Sequence, residues 1–199
     1  MRLLTTADIP GAVRQQLLDA WQPLAELQEG SQVRHKTAEL SSFVQIMGEA
    51  LQWLSPLKVA ATVFLSQLAK EAATEVYKNK ARIAAALAAA AAAPLRRAAA
   101  ALGRARSDSP QKPEIVVGLP IPDDYFGTAL TFPVDTEEEI ALLLAQFVVR
   151  VERIQQVIAG EVSDGHPPLG RVQVIPNGSG GFLLRWIDQK FEKHEQEIS

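Results

Sequence analysis

Residues 171–188 read RVQVIPNGSGGFLLRWID, and this stretch decides the reading of the fold. Two short runs rich in β-branched and aromatic residues flank Asn177–Gly181, a loop whose glycines supply the positive backbone dihedrals that a tight reversal needs. The pattern predicts a β-hairpin. Upstream, Glu114–Leu119 (EIVVGL) and Thr128–Phe132 (TALTF) form a second apolar pair joined by the turn-like PIPDDYFG, so a second hairpin is expected there. Between the two hairpins, Ile140, Leu144, Phe147, Val151, Ile154 and Ile158 recur at spacings of four and three, which is the signature of a helix with one apolar stripe. Asp135 with Glu138 three positions on resembles a capping box, and Glu137 and Glu139 favour a helix N-terminus electrostatically. Arg150 and Arg153 fall toward the expected C-terminal end, where positive charge is favoured. SDGHPPLG ends the segment. The C-terminal half therefore reads as ββαββ, a four-stranded, largely antiparallel sheet covered by one helix.

The N-terminal half reads as helical. Val13, Leu17, Trp21 and Leu24 predict a short helix interrupted near Pro23, and Leu40, Phe43, Val44, Met47, Leu51 and Leu54 predict another over 37–54. Ser55-Pro56 looks like a helix start, followed by a stripe of Leu57, Ala61, Phe64, Leu68, Ala72 and Val76. The alanine-rich stretch ARIAAALAAAAAAPLRRAAAALG continues this as a long helix, with a kink or break expected at Pro94 and an exit at Gly103. The fold class expected is α+β. Its organisation is a helical region over 1–104, a linker over 105–113, a ββαββ domain over 114–188 and a charged tail over 189–199 that is helical or frayed.

The chain has 199 residues and no cysteine, which excludes disulfides, thiolate catalysis and Cys-ligated zinc and fits a reducing compartment. The N-terminus lacks the apolar core and cleavage site of a signal peptide. The longest apolar run, Ile83 to Leu95, is thirteen residues of mostly alanine, against the roughly 20 strongly apolar residues that a bilayer requires. A cytoplasmic protein without a transmembrane segment is expected.

Charge is unevenly placed. Lys78, Lys80, Arg82, Arg96, Arg97, Arg104 and Arg106 lie in a stretch with no acidic residue, whereas Glu114 to Gly170 holds ten acidic residues against Arg150 and Arg153. Seven such cations could contact phosphates of nucleic acid or anionic lipid without sequence specificity, or be neutralised by the acidic half within one chain or between subunits. Asp123, Asp124 and Tyr125 in the PIPDDYFG loop are the candidates for acid–base chemistry, although proline, aspartate and glycine are also what a turn uses. His166 could meet Asp123 or Asp124 only through a tertiary contact. His35, His166 and His194 show no metal-ligand spacing, and the NGSGG loop lacks the phosphate-binding pattern, so no metal and no cofactor are expected. The expectation is a non-enzymatic interaction or assembly module, with a homo-oligomer or another protein as partner. The alternatives are polyanion binding through the basic helix and a small enzyme built on the Asp-Asp-Tyr loop.

Overall fold

A computed structural model of the chain describes residues 2–5, 9–24, 28–31, 43–47, 54–70, 80–88, 92–109, 112–119 and 127–199. Strands β1 (Arg2–Thr5), β2 (Gln28–Ser31), β3 (Phe43–Met47), β4 (Glu114–Leu119), β5 (Thr128–Thr131), β6 (Val172–Pro176), β7 (Phe182–Ile187) and β8 (Lys193–Ile198) form one sheet in the order β2-β1-β3-β4-β5-β6-β7-β8. Pairs β1–β2, β3–β4 and β5–β6 are parallel, and the other four are antiparallel. The molecule is thus mixed helix and sheet, as the α+β reading holds. None of its described helices is long and apolar enough to cross a membrane.

Helices α1 (Gly11–Trp21), α2 (Leu54–Lys70), α3 (Lys80–Leu87), α4 (Ala93–Ser107) and α5 (Glu137–Ser163) share one apolar core with the sheet. The centre of that helical layer is α5, which meets α2, α3 and α4, while α1 lies against α4. Its whole apolar stripe, from Ile140 to Ile158, is buried, and Phe147 meets Phe182 of β7 edge to face at 6.4 Å between ring centres. Alternation does the rest on the strands: Phe182, Leu184 and Trp186 of β7 are buried under helices, whereas Leu183 is half-buried and Arg185 and Ile187 are exposed on the opposite face.

Several expectations change. The helix expected over 37–54 is a strand at Phe43–Met47, where Val44 and Ile46 are buried at a period of two and β3 pairs with β1 and β4. Residues 37–42 and 48–53 lie outside the described residues. Of the kink or break expected at Pro94, it is the break that occurs: α3 ends at Leu87, and Pro94 sits in the first turn of α4, where its missing N–H costs nothing. Gly103 is not an exit: it is buried inside α4, which runs on to Ser107 through the first residues of the expected linker. Among the described residues the sheet has eight strands in place of four and crosses that linker, since β3 of the helical region pairs with β4. The cap of α5 lies one residue later than read. The Thr136 hydroxyl oxygen accepts the Glu139 amide at 3.4 Å and its proton goes to the Glu139 carboxylate at 2.7 Å. Asp135 is left to the cations Arg106 and Lys112. Arg150 and Arg153 fall mid-helix, because α5 continues to Ser163. Finally, the charged tail is neither helical nor frayed from Lys193 on: it is β8, paired along its length with β7.

Candidate functional site

Helix α5 ends in a Schellman motif, with Gly165 at a φ of 87° and the His166 amide donating to the Glu161 carbonyl at 2.9 Å. His166 is therefore the first residue held beyond the helix. Two residues later Pro168 forms a bridge with Asp188, the residue that follows β7. Asp188 and Glu192 then bracket the β7–β8 turn, with the Phe191 amide donating to the Asp188 carbonyl at 3.0 Å and the Asp188 amide to the Glu192 carbonyl at 3.0 Å. Register places His194 opposite Trp186, and the two rings stack at 11° and 5.2 Å. Two segments, the one leaving α5 and the β7–β8 hairpin, thus converge on one corner of the sheet.

The Asp188 carboxylate is closed from solvent. Its Oδ1 accepts the Lys190 amide at 2.8 Å and the Glu192 amide at 2.9 Å. The other oxygen, Oδ2, faces His194 Nε2 at 3.1 Å and His166 Nδ1 at 3.5 Å, and the two imidazoles are 4.9 Å apart between centres. Burial is the largest single influence and opposes ionisation. The Glu192 amide, His194, the Lys190 amide and His166 together outweigh it and hold the carboxyl at about 2. Asp188 is therefore an anion with one oxygen tied to the backbone and the other turned toward two imidazoles. Such an oxygen can orient an imidazole or serve as a monodentate metal ligand.

A concavity of about 590 Å³ adjoins the corner, lined among others by Leu169, Arg171, Arg185, Ile187 and Lys193. Arg185 is taken by Glu195 at 2.6 Å. Arg171 and Lys193 have no ionic partner among the described residues. Of the five exposed large apolar side chains among the described residues, Leu169 and Ile187 line this concavity and Phe191, in the adjoining β7–β8 turn, is the most exposed at 77%. Phe191 is also the one non-glycine residue with positive φ, 64°, among the described residues.

The residues singled out in the sequence are scattered. Lys78, Asp123, Asp124, Tyr125 and His35 lie outside the described residues, as does the side chain of Lys80. Arg82 is half-buried on α3, and Arg96, Arg97 and Arg104 are exposed on α4. Arg106 is engaged within the chain, with Nε 2.6 Å from Asp135 Oδ1 and Nη1 donating to the Phe132 carbonyl at 2.6 Å. Lys112 meets the same carboxylate at 2.8 Å and is the foremost reason why Asp135 sits below the ordinary carboxyl range. Glu137 is pushed up, first by burial and then by Glu138, against the opposing pull of Arg104 and Arg96. Of the candidate site residues only His166 enters the corner cluster, joined by His194, which its spacing alone had ruled out as a ligand; Asp188 and Glu192 were not singled out. The one signal for them was the spacing Asp188-x-x-x-Glu192-x-His194, which becomes meaningful only once a turn folds it back on itself. The chain matches no protein-family model, no curated protein and no solved structure.

Proposed function

We propose that the chain is a non-enzymatic protein–protein interaction module whose binding face is the corner formed by Leu169, Ile187 and Phe191. The observation that carries this reading is Phe191. Its position in the turn asks for glycine: an i to i+3 bond from Asp188 followed by a left-handed residue is the three-residue hairpin with a bulge. A left-handed conformation costs an L-residue about 1–2 kcal/mol, and a large exposed aromatic ring recovers nothing in the free chain. A partner that buries the ring offsets that cost. Arg171 and Lys193 flank the concavity with uncompensated positive charge, so the complementary segment is apolar with neighbouring carboxylates, on a second copy of this chain or on another protein. Docking is to the face and not the edge, because Lys193, Glu195 and Glu197 make β8 a charged edge that resists strand addition.

Phe191→Gly separates function from folding. It relieves the strained φ and should raise stability by up to about 1–2 kcal/mol, while association measured by sedimentation or by capture from the native host is lost, as it is in Ile187→Asp. Monomeric behaviour at every concentration with no captured protein sensitive to either substitution ends the proposal. Polyanion binding by the basic helix has less behind it, since Arg106 is engaged by Asp135 and both Arg96 and Arg104 act on Glu137.

A further inference from the structure

We infer that His166, Asp188, Glu192 and His194 form a binding site for one divalent transition-metal ion of the zinc type. One ligand atom from each of the four lies within 4.8 Å of every other. Tetrahedral bonds of about 2.0–2.1 Å place ligand atoms about 3.4 Å apart. The Asp188 Oδ2 separations of 3.1 Å from His194 Nε2 and 3.5 Å from His166 Nδ1 bracket that edge. The wider separations in the set, up to 4.8 Å, close as the ion draws the four ligand atoms together. The donor set of two imidazoles and two carboxylates suits zinc and its neighbours, whereas calcium and magnesium take oxygen.

The surroundings are those of a supported ligand set. Both amides on Asp188 Oδ1 fix the carboxylate while leaving Oδ2 for the ion, and Trp186 holds the His194 ring by stacking. His166 Nδ1 points the same way: it is shut off from solvent, makes no hydrogen bond, and stands beyond good hydrogen-bond reach of Asp188. Tying β8 to the Asp188 turn needs His194 alone, so His166 brings a second imidazole nitrogen to the same carboxylate oxygen.

The test is calorimetric titration of the full chain with zinc, together with the visible absorption of the cobalt-loaded protein. One zinc per chain is expected, with cobalt bands of a low-coordinate nitrogen–oxygen site. His166→Gln and His194→Gln should each weaken zinc at least about tenfold, while His35→Gln leaves it unchanged. Circular dichroism of each variant checks folding, and the cobalt spectrum of the unsubstituted chain stands even if a variant fails to fold. Absence of zinc binding, a cobalt spectrum like that of the aqueous ion, or affinity unchanged in both folded variants overturns the inference. Because the readouts are metal affinity and coordination, the outcome is independent of partner binding at Phe191.

Discussion

Two buried glycines make opposite predictions from the same substitution. Gly103 lies inside α4 where it crosses the start of α5, and a methyl group added there would meet the Glu137 backbone at 3.8 Å, ordinary van der Waals contact. Nothing has to move. Alanine in a helix interior is favoured over glycine by about 0.5–1 kcal/mol, largely because the unfolded chain loses freedom, so Gly103→Ala should stabilise by that amount. Gly181 is the reverse case. A Cβ at Gly181 would stand well inside contact distance of the Ile198 carbonyl oxygen, a backbone atom at the end of β8 that cannot rotate away, with Asn177 Nδ2 at 3.0 Å on another side. Forced overpacking of this kind costs about 1–3 kcal/mol. At about 2–4 °C per kcal/mol for a chain of this size, thermal melts should place Gly103→Ala about 1–4 °C above the unsubstituted protein and Gly181→Ala several degrees below it. Denaturant titrations with unchanged slope would tie both shifts to native-state stability. A destabilised Gly103→Ala would mean that α4 and α5 are closer than described, and a neutral Gly181→Ala would mean that β8 does not end against Gly181.

Phe147→Ala removes a fully buried ring that meets Phe182, and urea unfolding should show a loss of about 3–5 kcal/mol. Thr136→Ala deletes the N-cap of α5 and should cost about 1 kcal/mol, measured the same way. Asp135 and Glu137 should respond to acid with opposite sign. The folded-state pKa of Asp135 is lowered, foremost by Lys112, so its contribution is present above the ordinary carboxyl range and is lost as pH falls through the lowered value; Asp135→Asn therefore destabilises near pH 6, and that effect shrinks as pH falls below the ordinary carboxyl range. The folded-state pKa of Glu137 is raised by burial, so its contribution is present at low pH and lost as pH rises. Glu137→Gln should be neutral or stabilising near pH 6, and a loss of stability there would refute the assignment.

What could be read from the chain was whatever its local period carried. The stripe from Ile140 to Ile158 and the alternation in Phe182, Leu184 and Trp186 each identify their element, because burial imposes a period of 3.6 or 2 on the residues themselves. Phe43 to Met47 misled because a five-residue strand shows too few repeats: Phe43, Val44 and Met47 also fit a helical spacing. Strand β8 was hidden for a different reason. On a polar edge, KHEQEI buries only Ile198, so no apolar alternation exists to be read, and its pairing is fixed by the Asp188 turn alone. The same limit hid the corner cluster. His166 reaches it through the cap of α5 and His194 through the register of β8, and neither distance is a spacing along the chain.

That corner stands out once the energetics of the turn are followed through. A Gly-like position occupied by Phe191 weakens the hairpin, and the ring does not strengthen the core, being the most exposed large apolar group among the described residues. The turn survives because Asp188 ties down the Lys190 and Glu192 amides on either side of Phe191. The chain therefore stabilises the turn with one residue and strains it with another three positions away. Folding alone has no use for that opposition, since glycine at 191 would relieve the strain and leave every Asp188 hydrogen bond in place. The proposed partner contact would give the phenylalanine a reason to be there, which is what Phe191→Gly tests.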